Sequence, residues 1–196
     1  RVADVTARIV VLASGSGTLL QALIDACACG DLDARIDLVI SDVAGAQALD
    51  RATGAGISTR VLSPKDFADR EAWNEALIEA VAVAQPDWIV SAGFMRILGP
   101  AFVDAFSQRI VNTHPALLPS FAGAHGVRDA LAYGVKVTGC TVHFVDHGVD
   151  TGPILAQRAV AIESGDDEAT LHERIKIVER ELLVSTMSEL IGGNRD

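Results

Sequence analysis

The chain has 196 residues, 49% of them hydrophobic, which suits one domain with a substantial core. Against 26 acidic residues it carries 16 basic ones, a net charge of −10, and that sign opposes unassisted binding to nucleic acid, whose phosphates are held mainly by Lys and Arg. No apolar stretch approaches the roughly 20 residues that cross a bilayer, and no charged leader precedes a long apolar run, so a soluble cytoplasmic protein acting on small molecules is expected.

In chain order, Arg8 to Ala13 reads as a buried strand, followed by the turn Ser14-Gly15-Ser16-Gly17-Thr18 and a helix from Leu19. A second strand over Ile36 to Ser41 leads to a helix from Gln47 to Thr53 that stops at Gly54 and Gly56. A short strand, Thr59 to Leu62, precedes a helix over 70–84, with Trp73, Leu77 and Val81 as its apolar spacing and Pro86 beyond its end. Asp87 to Gly93 is a fourth strand, and the apolar run Arg109-Ile110-Val111 leads a fifth, with Asn112 and His114 at its carboxyl end. Thr138 to Asp146 alternates, with Gly139, Thr141 and His143 forming a polar face. Ile154 to Ile162 follows as a partner strand after a turn at Asp150-Thr151-Gly152, and a long helix closes the chain over Asp166 to Ile191, with Leu171, Ile175, Val178 and Leu182 as its stripe.

Strands alternating with helices predict an α/β, Rossmann-like fold: a mostly parallel sheet with helices on both faces, plus an antiparallel carboxyl-terminal addition. The whole of 1–196 reads as one domain, with a nucleotide-binding half of about 8–105 and a catalytic half of about 106–196. Ligands of such sheets bind beyond the carboxyl ends of the strands. Both the glycine turn and the Asn112 to Pro115 segment lie at such ends.

Asn112, His114 and Asp150 supply an amide, an imidazole and a carboxylate, the groups that hold an oxyanion, move a proton and keep an imidazole charged. Strand alternation puts Asn112 and His114 on one side, with α-carbons roughly 6.6 Å apart. His143 is a possible supporting member. The glycine turn is either a tight strand-to-helix connection or an anion cradle built from the amides of Ser16, Gly17 and Thr18; its third glycine position is Leu20, so it falls short of a dinucleotide fingerprint. The run Phe94 to Leu98 either packs in the core or lines a slot for a flat heterocycle. Glu179 stands beside the apolar stripe of the last helix, where it either pairs with Arg180 or Arg174 or faces the site. No two histidines have zinc-like spacing, and Cys27, Cys29 and Cys140 read as ordinary thiols of a reducing compartment.

With these residues in view, the chain resembles the phosphoribosylglycinamide formyltransferases, the folate-dependent glycinamide ribonucleotide transformylases. The likeness is most specific over Gly139 to Val145 and Val149 to Ile154, and Asn112 to Pro119 matches the broader group that uses 10-formyltetrahydrofolate. The resemblance implies the formyltransferase fold and the catalytic trio Asn112, His114 and Asp150. It further implies a ribonucleotide site at Ser16, Gly17, Thr18, Leu19 and Glu179. The folate site it implies comprises Arg70, Met95, Arg96, Ile97 and Leu98 with His147, Gly148 and Val149. The formyl group would pass from 10-formyltetrahydrofolate, a co-substrate, to the glycinamide amine; no metal, nucleic acid or membrane partner is implied, and the chain would act as a monomer or homodimer. Two departures stand out: Leu19 occurs where relatives often carry Asn, and the loop Ser120 to Gly126 differs from the bacterial pattern at several positions. Methionyl-tRNA formyltransferase and formyltetrahydrofolate deformylase are similar catalytic domains that carry an extra domain for which this length leaves no room. A non-catalytic nucleotide-binding module is the rival of another class, and it makes the order Asn112, His114, Asp150 a coincidence.

Overall fold

In a computed structural model that describes residues 6–193, seven strands form one sheet in the order β3-β2-β1-β4-β5-β6-β7. The strands are β1 (Ala7–Leu12), β2 (Ala34–Ser41), β3 (Ser58–Val61), β4 (Trp88–Ser91), β5 (Ile110–His114), β6 (Val137–Phe144) and β7 (Ile154–Ala161). The helices are α1 (Thr18–Cys29), α2 (Gln47–Gly54), α3 (Arg70–Ala84), α4 (Pro100–Ala105), α5 (Gly126–Tyr133) and α6 (Glu168–Gly193). The first five strands are parallel, whereas β6 and β7 join antiparallel at the β5 side. Residues 1–5 and 194–196 of the expected 1–196 domain lie outside the described residues.

Central parallel strands are buried on both faces, which explains the continuous apolar runs from Ile9 to Leu12 in β1 and from Trp88 to Val90 in β4. One core gathers Leu20 and Leu23 of α1, Ala48 and Ala52 of α2, Val127 of α5 and Leu171, Ile175, Leu182 and Leu183 of α6 on one side of the sheet. A second core holds Trp73, Leu77 and Val81 of α3 with Phe102 and Val103 of α4 on the other. Helix starts obey local chemistry: Asp69 accepts from the Ala72 N–H at 2.9 Å to cap α3, and Asp167 accepts from the Thr170 N–H at 2.8 Å at the start of α6. No helix among the described residues is long and apolar enough to cross a membrane.

Strand β1 lies between β2 and β4, so the chain turns outward in opposite directions from the β1/β4 boundary. A crevice opens at such a point beyond the carboxyl ends of the strands. The glycine turn after β1 and the Gly93 to Leu98 segment after β4 flank it, and the Ser14 N–H donates to the Gly93 carbonyl at 3.1 Å to join them.

Two short helices, α4 and α5, occupy segments with no predicted element. The expected polar face of β6 is also shielded: Thr141 and His143 are fully or almost fully buried. Its polarity is met internally, since the Thr141 hydroxyl donates to the Ala116 carbonyl at 2.7 Å and accepts from the Leu118 N–H at 3.1 Å.

Candidate active site

The antiparallel register of β5 and β6 sets Asn112 opposite His143 and His114 opposite Thr141. Directly opposed side chains on one face are close enough to bond, and Asn112 Nδ2 lies 3.2 Å from His143 Nε2. The expected trio therefore comes together with His143 as a fourth member. Asp150 Oδ2 stands 3.4 Å from His114 Nδ1, and its Oδ1 stands 3.6 Å from His143 Nε2. His114 and His143 are almost fully buried and Asp150 is partly so.

Backbone groups fix the two histidines. His114 Nε2 donates to the Phe121 carbonyl at 2.8 Å, which leaves Nδ1 as the nitrogen free to serve a substrate, on the side of the Asp150 carboxylate. His143 Nδ1 lies 2.8 Å from the carbonyl of Phe144 and donates to it. The Gly123 N–H donates to Asp150 Oδ2 at 2.8 Å. Burial would raise the Asp150 carboxyl, yet the hydrogen bond from His143, the Gly123 N–H and the charges of both imidazoles together hold it below its usual value. Phe121 and Asp150 both have positive φ, 56° and 55°, a conformation that costs a non-glycine residue energy and is kept where the surroundings over-determine it. A Cβ on Gly126 would stand 3.0 Å from both His114 Nε2 and the Phe121 oxygen, so the start of α5 backs this histidine directly.

The glycine turn forms an open helix start. Gly17, at φ 70°, is the N-cap of α1, and no side chain caps the helix. A Cβ there would come within 2.7 Å of the Ala48 backbone, so glycine is what lets α2 close against the turn. Arg51 of α2, absent from the expected set, holds the Ser16 carbonyl through Nε at 2.7 Å and brings a guanidinium beside the turn. The side chain of Leu19 enters the first core, which leaves its backbone N–H as the group at the turn.

Glu179 pairs with neither Arg174, which is held by Asp166 at 2.7 Å, nor Arg180. It is 5% exposed and hydrogen-bonds Thr113, the residue between Asn112 and His114. Burial pushes its carboxyl above the usual range, against the hydrogen bond from Thr113 and the charges of Lys176 and Arg180. Cys140 on β6 is a buried thiol, pushed up to about 12 chiefly by burial and next by Glu179.

The segment after β4 divides in two. Phe94 is buried and stacks on Trp73 with centroids 6.4 Å apart, so it belongs to the core, whereas Met95 and Ile97 are exposed. Arg70 Nη2 donates to the Ile97 carbonyl at 2.7 Å, and Arg96 Nε donates to Asp42 Oδ2 at 2.7 Å. Beyond β6, Asp146 accepts from the Gly148 N–H and the Thr151 hydroxyl to shape the 146–151 turn that delivers Asp150. His147 in that turn pairs with Asp104 of α4 at 2.9 Å, and Gly148 and Val149 are exposed beside it. The uncapped helix start after β1, the partly exposed apolar segment after β4 and the imidazole–carboxylate–amide cluster at β5 and β6 thus follow one another across the sheet.

The Formyl transferase family matches residues 7–187 of this chain. Phosphoribosylglycinamide formyltransferase from Mycobacterium tuberculosis (strain CDC 1551 / Oshkosh) is 56% identical over 184 residues, covering 94% of this chain and 85% of the relative. The protein of that name from Escherichia coli (strain K12) is 41% identical over 185 residues, covering 94% and 87% respectively. The crystal structure of glycinamide ribonucleotide transformylase 1 from Symbiobacterium toebii superposes with a TM-score of 0.94 at 42% identity, covering 96% of this chain and 89% of that one.

Proposed function

Because the chain belongs to the formyl transferase family and, within it, to the phosphoribosylglycinamide formyltransferases, we propose that Asn112, His114 and Asp150 carry the transfer chemistry. The enzyme moves the formyl group of 10-formyltetrahydrofolate to the amine of glycinamide ribonucleotide, giving formylglycinamide ribonucleotide and tetrahydrofolate in purine synthesis. The observation that carries the assignment is the close meeting of the Asp150 carboxylate with both buried imidazoles, next to the Asn112 amide.

The glycinamide nitrogen attacks the formyl carbon, and the carbonyl electrons move onto oxygen. Asn112 donates its amide N–H to that oxyanion, and protonated His114 adds a second donor through Nδ1, since Nε2 is committed to Phe121. Asp150 keeps the imidazolium charged and relays the proton lost by the amine, through water, to the folate nitrogen that leaves. The amine keeps its new C–N bond as the old one breaks.

The ribonucleotide phosphate sits on the amides of Ser16, Gly17, Thr18 and Leu19, where an open helix start favours an anion despite the acidic net charge. Glu179 meets the glycinamide end. The folate lies along Met95, Arg96, Ile97 and Leu98 and against His147, Gly148 and Val149, with Arg70 beyond. The halves 8–105 and 106–196 act as one domain. Cys27, Cys29 and Cys140 are free thiols, which suits a cytoplasmic enzyme.

Asn112→Ala tests the assignment. Loss of a preorganised oxyanion donor costs about 2.7 to 4 kcal/mol, so turnover should fall roughly 10² to 10³-fold with modest change in KM. Near-normal turnover overturns the role. The same assay, run with and without glycinamide ribonucleotide, should release tetrahydrofolate only when the acceptor is present.

A further inference from the structure

We propose that Asp42 is a positioning residue for the folate: it holds the segment after β4 in shape and fixes which edge of Arg96 meets the ligand. The inference rests on the reading above that this segment borders the folate. Asp42 immediately follows β2 and is 4% exposed. A carboxylate so buried is costly unless both oxygens are satisfied. Its Oδ1 accepts from the Ser14 hydroxyl at 2.5 Å, and its Oδ2 accepts from Arg96 Nε at 2.7 Å.

Ser14 extends the effect, because its hydroxyl oxygen accepts from the Met95 N–H at 2.8 Å while its own N–H donates to the Gly93 carbonyl. One carboxylate just past β2 therefore reaches over the end of β1 and holds the segment after β4 at Arg96 directly and at Met95 through the Ser14 hydroxyl, beside the backbone link from Ser14 to Gly93. The same serine opens the glycine turn. The side chain of Arg96 is 47% exposed, and with Nε taken by Asp42 its Nη edge is the one offered outward. An arginine on an exposed segment otherwise has rotamer freedom that binding must remove. Fixing it in the free enzyme lowers that cost.

Asp42→Asn separates this role from simple support of the turn, because the side-chain oxygen can still accept from Ser14 while the charge facing Arg96 is gone. Steady-state kinetics with 10-formyltetrahydrofolate and glycinamide ribonucleotide should show kcat/KM for the folate falling about tenfold, chiefly through KM. KM for the ribonucleotide should move less than about twofold, and the double variant with Arg96→Ala should be no worse than Arg96→Ala alone, as expected for residues acting as one unit. If Arg96→Ala weakens folate use and Asp42→Asn does not, the positioning role is wrong. It is also wrong if both KM values rise together with a drop in Tm. If neither variant changes folate kinetics, the folate does not lie on this segment, and the site reading itself fails. Should Asp42→Asn not fold, Arg96→Lys reads the same coupling, because one ammonium cannot serve Asp42 and present a second edge; a similar rise in folate KM is expected, and an unchanged value overturns the proposal.

Discussion

Replacing Asp150 by Asn changes charge with almost no change in shape, and the local geometry dictates how the new amide must sit. Its oxygen has to face the Gly123 N–H that now donates at 2.8 Å, so the NH₂ group turns toward His143 Nε2, 3.6 Å away. His143 Nδ1 already donates to the Phe144 carbonyl, so in the neutral ring Nε2 accepts, and its single lone pair is then contested by the new amide and Asn112. His114 Nδ1 is left facing a neutral oxygen at 3.4 Å. Two unit charges that far apart attract by about 5 kcal/mol at an effective dielectric constant of 20, an upper bound for a carboxylate that water still reaches. Carboxylates beside a cation typically shift by 1 to 3 units, about 1.4 to 4 kcal/mol, so kcat should fall roughly 10 to 10³-fold. KM for either substrate should change by less than about threefold, because the interaction is strengthened mainly in the transition state. The assay is tetrahydrofolate release at saturating ribonucleotide and folate, with Tm measured alongside. A variant that turns over within about twofold of the parent would show that the imidazolium does not depend on this carboxylate.

The same carboxyl predicts a pH effect on stability: its folded value lies below the unfolded one of about 3.9, so its contribution is complete above that pH and drains away as pH falls through the lower folded value. Asp150→Asn should therefore flatten the acid limb of Tm against pH and leave the shape above pH ~5 unchanged. Glu179 works in the opposite sense, since burial raises its carboxyl and the folded state holds its proton longer than the unfolded chain does. Wild-type stability is thus lost as pH rises from about 4.3 through the raised folded value, and Glu179→Gln should have the higher Tm at pH 7.5 but not at pH 4, while KM for the ribonucleotide rises. Gly17→Ala places a methyl 2.7 Å from the Ala48 backbone on a residue with φ 70°, so KM for the ribonucleotide should rise at least about tenfold with a lower Tm; normal ribonucleotide kinetics would remove the phosphate from this turn.

The sheet and its long helices are readable in the sequence because each carries several turns or strand repeats of one period: Trp73, Leu77 and Val81 mark α3, and Leu171, Ile175 and Leu182 mark α6. Helices α4 and α5 have six and eight residues, too few for a period to stand out, although Pro100 at the start of one and Gly134 after the other are end signals. Within the site, Asn112, His114 and Asp150 are visible because their chemistry lies in their side chains. What holds them there is mostly main chain. The Phe121 carbonyl selects the His114 nitrogen left for substrate, and the Gly123 N–H turns Asp150, yet neither group depends on the identity of the side chain beside it. Asp42 and Arg51 escape notice for a related reason, since each acts across a neighbouring strand or helix on a residue 28 to 54 positions away along the chain or 35 away. The loop Ser120 to Gly126 is thus the one that orients His114 and Asp150. Substitutions in this loop are tolerable insofar as they keep two backbone directions, at Phe121 and Gly123, and a start to α5 at Gly126 without a side chain to press on His114. On the proposed mechanism, that requirement ties the reaction to the conformation of a seven-residue surface segment as firmly as to the side chains of Asn112, His114 and Asp150.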